Sequence, residues 1–195
     1  MDLLKTDKTN PRGIPEAPFI DKVEKFVKDA ETDFDDVMKA FQDRLQQYKY
    51  MELSKRNQLA DLDSKRPDIE KNLEIINHLK EKQDNDDDDE SKIIETNYEL
   101  NDSLYTEATI NTENLKSVYL WLGAEVMLEY PLDEAIELLD DRLKKNLENV
   151  EIIKEDLVFL KENITTMEVN TARLYNWDVE RRRNKVEEGT KNLKI

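Results

Sequence analysis

VYLWLGAEVMLEYP, Val118–Pro131, is the most apolar and least helix-like stretch of the chain, with only Glu125 and Glu129 charged. Val118–Leu122, then Gly123, then Glu125–Tyr130 reads as strand, turn, strand. Upstream, Thr96–Leu100, the turn pair Asn101–Asp102 and Ser103–Ile110 repeat that signature, and the polar link Asn111–Ser117 separates the two. Two β-hairpins are therefore expected. A lone hairpin is marginal in water, and apolar residues on both faces of Val118–Leu122 call for cover on both sides. Either the island is a small self-contained cap, or its unpaired edges are closed by sister chains into a barrel. The second reading makes Tyr98, Leu104, Ile110, Val118, Leu120, Trp121, Leu122, Val126 and Leu128 assembly residues.

On either side the period changes from two to seven. Ile20, Val23, Val27, Ala30, Phe34, Val37, Phe41 and Tyr48 recur in alternating steps of three and four, interrupted at Arg44, as a coiled-coil stripe does. The phase slips after Met51 and resumes at Leu59, Leu62, Ile69, Leu73 and Ile76. Pro67 is expected to kink or break this helix, because it removes one hydrogen bond and crowds the preceding turn. After the island, Pro131 suits a first helical position, and Asp133 and Glu134 suit the positive end of the helix dipole. From Leu132 to Glu188 neither Gly nor Pro occurs, and the seam runs from Ile136 to Leu174 with Asn146 as a polar interruption of the kind that fixes register.

The expected layout is an N-terminal tail over 1–18, helix one over 19–83, an acidic linker over 84–93, two hairpins over 94–130, helix two over 131–188 and a tail over 189–195. The fold class is mainly α, a long antiparallel coiled coil interrupted by two hairpins. Composition agrees: 39% of residues are charged, against about 25% in ordinary globular chains, so narrow buried stripes are more plausible than one large core.

The formal net charge of -16 opposes phosphate backbones and anionic membranes, so neither nucleic acid nor membrane is expected as a partner. The chain has no cysteine and a single histidine, His78, which excludes disulfides and thiolate zinc sites and fits a cytoplasmic protein. The N-terminal residues carry no apolar h-region, so no secretory signal is expected, and no apolar run reaches the roughly 18 residues of a membrane span. DNDDDDE, Asp84–Glu90, lacks the central glycine of a calcium loop and reads as a solvated linker. With no Gly-rich phosphate loop and no acid–base pair, neither catalysis nor a cofactor is expected.

RGIPEAPFI (12–20), LNDSLYTEA (100–108), LWLGAEVMLEYPLDEAIELL (120–139) and ENITTMEVNTARLYNWDVERRR (162–183) together resemble the α-class subunits of prefoldin, and EGTKNLKI (188–195) resembles their fungal form. The resemblance covers essentially the whole chain. It implies a hexamer with one further α-class and four β-class subunits, whose hairpins build an intersubunit β-barrel platform. It also implies that the coiled-coil tips hold unfolded actin and tubulin and pass them to the cytosolic chaperonin without ATP.

If the two arms pair antiparallel, facing residue numbers sum to about 215, and the stripe from Ile20 to Phe34 outruns its partner. That leaves apolar surface at the far end of the arm, a basis for a weak, multi-site grip on another chain. The client-binding candidates are Phe19, Ile20, Val23, Phe26, Val27, Tyr175, Trp177 and Val186. Tyr175 and Trp177 are equally readable as packing over helix one, and Arg181–Arg183 as paired with nearby acids. A coiled-coil tether of another complex is the alternative function. It would seal its seam to the end.

Overall fold

The computed structural model describes residues 6, 8–25, 27, 34–84 and 92–192, with Lys25 and 188–192 by backbone alone. In chain order a 3-10 turn, Val23–Lys25, precedes α1 (Phe34–Asp84), β1 (Ile93–Asn101), β2 (Leu104–Asn111), β3 (Ser117–Gly123), β4 (Val126–Pro131) and α2 (Leu132–Asn192). Two long helices with two hairpins between them are thus present. Phe26 and 85–90, most of the acidic run, lie outside the described residues. The chain divides into two compact units, one formed by Met1–Ala60 with Glu151–Ile195 and the other by Asp61–Val150.

In the second unit, β1 pairs antiparallel with β2 and β3 with β4, as two separate two-stranded sheets. Directly opposed residues share a face, so Val118, Leu120, Leu128 and Tyr130 lie on one face of the second hairpin and Tyr119, Trp121 and Met127 on the other. The first of these faces is already used. Leu120 is buried with Ile76, Leu132, Ala135 and Leu139, and Val118, Leu122 and Tyr130 pack against that cluster half-buried. This corrects the assignment of Leu120 to a free assembly surface: an amphipathic hairpin lays one face on its own helices. Pro131 ends β4 opposite Ser117, and α2 begins one residue later.

The helices of this unit run antiparallel, with Asn146 Nδ2 donating to the Leu62 carbonyl at 3.1 Å and Lys80 bonded to Asp133 at 2.5 Å. Pro67 neither breaks α1 nor ends it. Its missing N–H frees the Asp63 carbonyl, in the same turn that Asn146 approaches.

The first unit overturns the expected start of helix one. Residues 19–22 are not helical, and α1 begins only at Phe34. Asn10–Gly13 closes a turn (Gly13 N to Asn10 O, 3.0 Å) with Pro11 in second place and Gly13 at φ 82°. Beyond it the Ala17 amide reaches Asn163 Oδ1 and the Ile20 amide reaches Asn170 Oδ1. Those asparagines stand seven residues apart on a helix, about 10.5 Å at 1.5 Å per residue. Three residues of backbone span that distance only when nearly fully extended, at roughly 3.5 Å each. Pro15 and Pro18 favour that state, since neither can donate a helical hydrogen bond.

The extended segment runs parallel to α2, with its apolar side chains between the helices. Ile14, Ala17, Ile20, Val23 and Val27 are buried together with Phe34, Val37, Phe41 and Tyr48 of α1 and Leu160, Ile164, Met167 and Leu174 of α2. The described members of the stripe expected to lie open, Ile20, Val23, Val27 and Phe34, are therefore part of the core, and Ala30 lies outside the described residues. Pairs between α1 and α2, Phe34 with Trp177, Lys49 with Glu168 and Lys55 with Asp156, keep the antiparallel register that the sequence predicts.

Candidate functional site

Each unit presents exposed apolar side chains. On the second unit the first hairpin leaves Tyr98, Leu100, Leu104 and Tyr105 more than half exposed, with Ile110 less so. The second hairpin leaves Tyr119, Trp121, Val126, Met127 and Leu128 exposed. Water-facing aromatic and aliphatic residues on two-stranded sheets are unusual for a chain acting alone, and they mark surfaces meant to be covered. Of the predicted assembly residues, Tyr98, Leu104, Ile110, Trp121, Val126 and Leu128 lie on such surface, whereas Leu120 does not. Ile110 and Ile94 also line a cavity of about 500 Å³ with Ile75, Leu79 and exposed His78.

On the first unit, the predicted client residues separate by burial. Ile20, Val23 and Val27 are buried, Trp177 is half-buried, and Phe19, Tyr175 and Val186 are exposed at 57%, 63% and 67%. Trp177 stacks on Phe34 with ring centroids 6.3 Å apart and donates from Nε1 to Glu24 at 3.2 Å, so it packs over helix one. Exposed Val179 adds to the open set, and the Arg173 guanidinium sits 4.6 Å from the centre of the Phe19 ring. A groove of about 530 Å³ is lined by Phe34, Met38, Leu45, Thr171 and Tyr175. Arg181 and Arg182 both pair with buried Asp178, and Arg183 pairs with Glu187, so the arginine run is neutralised locally.

Sequence reasoning missed a second stripe on α2. Asp156, Asn163, Asn170 and Trp177 recur at strict sevens, beside the apolar seam, and every one of them holds the N-terminal segment. Asp156 Oδ1 accepts from Asn10 Nδ2 (2.8 Å) and Arg12 Nε (2.5 Å), while its Oδ2 lies 2.9 Å from Lys55 Nζ. Asn170 accepts from the Ile20 amide (3.0 Å) and donates to the Pro18 carbonyl (2.6 Å). Asn163 accepts from the Ala17 amide and donates to the Phe159 carbonyl (2.7 Å). Arg173 Nη1 donates to the Ile20 carbonyl (2.6 Å), and the Tyr48 hydroxyl to the Pro15 carbonyl (2.9 Å). The available signal was the heptad of amides together with a proline-rich segment whose backbone groups had to be satisfied somewhere.

Burial alone would raise the Asp156 carboxyl, but its contacts with Lys55 and Arg12 outweigh that and hold it below the ordinary 3.8. Burial pushes the Tyr48 hydroxyl up. Among the described residues no group of three or more His, Cys, Asp or Glu side chains could hold a metal, and no helix is long and apolar enough to cross a membrane.

A family model described as Prefoldin subunit matches residues 48–177. Prefoldin subunit 3 of Saccharomyces cerevisiae is 47% identical over 198 residues, covering 99% of this chain and 98% of that protein. Prefoldin subunit 3 of Homo sapiens is 41% identical over 181 residues, covering 92% of this chain and 87% of that one. Among solved structures, a filamentous PFD from Methanocaldococcus jannaschii, determined by cryo-EM, aligns with a TM-score of 0.49 at 16% identity, over 66% of this chain and 98% of its own.

Proposed function

Since the chain belongs to the prefoldin family, a family of non-enzymatic chaperones, we propose that it serves in the cytosol as one arm of a six-chain complex that holds unfolded actin and tubulins and delivers them to the chaperonin without ATP. The chain is a prefoldin co-chaperone subunit that assembles with other prefoldin subunits. The observation that supports the fuller reading is 47% identity to a subunit 3 relative along nearly the whole of both chains. Two structural features support it. The hairpins expose apolar residues that sister strands can cover, and Phe19, Tyr175, Val179 and Val186 offer open apolar surface where α1 starts and α2 ends. Weak contacts repeated over several arms would add up to a firm hold.

A seam sealed by the N-terminal segment is also what a coiled-coil tether would have, which keeps that second reading alive. Native mass spectrometry of the tagged chain from its own cells, followed by an aggregation assay on denatured actin without ATP, separates the two. The holdase reading expects six different small chains and suppressed aggregation. A homodimer, or a complex that leaves actin to aggregate, would put the tether in its place.

A further inference from the structure

We propose that residues 8–25 are a displaceable cover, lying in a track on α2 that otherwise takes extended apolar segments of non-native proteins. This rests on the holdase reading above and says how its grip is regulated.

The polar bonds that hold the cover past its first turn go mostly to main chain. Asn163 and Asn170 take the Ala17 and Ile20 amides, and Asn170, Arg173 and Tyr48 give hydrogen bonds to the Pro18, Ile20 and Pro15 carbonyls. A set of donors and acceptors that engages backbone is indifferent to side-chain identity, so another extended chain can satisfy it equally well. The apolar demand is just as loose. Ala17, Ile20 and Val23 stand three apart and fill the same cluster as Leu160, Met167 and Leu174, a spacing that unfolded chains offer often. With the cover gone, α2 would show an apolar seam flanked by amides at heptad spacing, which is what an extended apolar chain needs in order to bury its side chains without orphaning its backbone.

Sequence-specific contacts gather instead at one end. Asn10 and Arg12 converge on buried Asp156, with Lys55 on its far oxygen. This clasp fixes where the cover starts and raises its local concentration over the track. Further along, Phe19 is exposed beneath the Arg173 guanidinium, so an incoming chain can land on open surface before it displaces the cover. A competitor in cis lowers the apparent affinity for clients by the fraction of time the track is open. Weak binding then suits the load and release of many different chains.

The test uses the complex assembled with all its partner subunits, carrying either the full chain, a chain lacking residues 1–25, or the full-length double variant Asn10→Ala/Arg12→Ala, which loosens the clasp and leaves the track on α2 intact. The first readout is anisotropy of a labelled peptide with the sequence of residues 8–25. The truncated complex should bind it saturably and release it when denatured actin is added, and the intact complex should bind it roughly tenfold more weakly. In the double variant, faster hydrogen exchange at Ala17 and Ile20 should accompany faster capture of denatured actin. Absence of peptide binding by the truncated complex, or peptide that actin cannot chase, would overturn the cover. So would a double variant with loosened residues 17–20 and unchanged capture, which decides the matter if the truncated chain does not assemble. Failure of the intact complex to suppress aggregation would instead sink the holdase reading, while peptide binding still reports on the track.

Discussion

Asp156 is the residue on which most of the first unit's polar order converges. Its side chain is fully buried, yet Asn10, Arg12 and Lys55 all approach it, and Glu155 takes the other end of the Arg12 guanidinium at 3.0 Å. Because its folded value lies below the ordinary 3.8, its stabilisation is complete above that value. It is lost as pH falls through the lower folded value. Protection of the Ile14 and Ala17 amides, as exchange relative to the free-peptide rate at the same pH, should therefore fall steeply below about pH 4, and Asp156→Asn should flatten that fall. The same substitution should cost about 1–3 kcal/mol at neutral pH, read as a lower melting temperature. An unchanged exchange profile would show that the clasp contributes nothing. Leu160→Ala, at a fully buried seam position, should cost about 2–5 kcal/mol by leaving a cavity.

At the scale of elements, the second hairpin answers two questions at once. Trp121, Val126 and Leu128 are exposed, whereas Leu120 is in the core. Replacing Tyr119, Trp121 and Met127, all exposed on the face opposite Leu120, with glutamate should abolish co-assembly in native mass spectra and leave helical circular dichroism intact. Leu120→Glu should destabilise the chain itself, because it buries a charge in the cluster around Ile76 and Leu139. If both variants behave alike, the division between core face and assembly face is wrong. The turn of this hairpin is also revealing. Gly123 pairs with Val126, so Ala124 and Glu125 form a two-residue loop, both at positive φ (49° and 61°). Such loops favour Asn-Gly, because residues with a Cβ resist that conformation. Ala124→Asn with Glu125→Gly should raise hairpin stability by about 1 kcal/mol, measured as a higher melting temperature.

At the scale of the whole chain, two surfaces have to be told apart by what their loss does. Substituting Phe19, Tyr175 and Val179 with serine should weaken client capture severalfold and leave assembly unchanged, because these side chains are open and lie outside the hairpins. The same change at Ile20 and Val23 would confound capture with stability, since both are buried. Capture that survives the exposed triple variant would move the grip to other arms of the complex.

The sequence by itself determined the order of elements, two long helices with two hairpins between them, and their antiparallel register. The elements follow from the local periods, seven and two, and the antiparallel pairing from two arms of similar length joined by a compact middle. It also made the family legible, through stretches such as Leu120–Leu139 and Glu162–Arg183. Only the tertiary structure decided where Ile20, Val23 and Val27 go. Ile20 lies in an extended strap and Val23 and Val27 in the short helical turn after it, and the strap was set by partners about 150 positions away, Asn163 and Asn170, which take the Ala17 and Ile20 amides. The two faces of the second hairpin were decided in the same way: alternation says that Leu120 and Trp121 point apart, but only the helices packed beneath say which of them is covered.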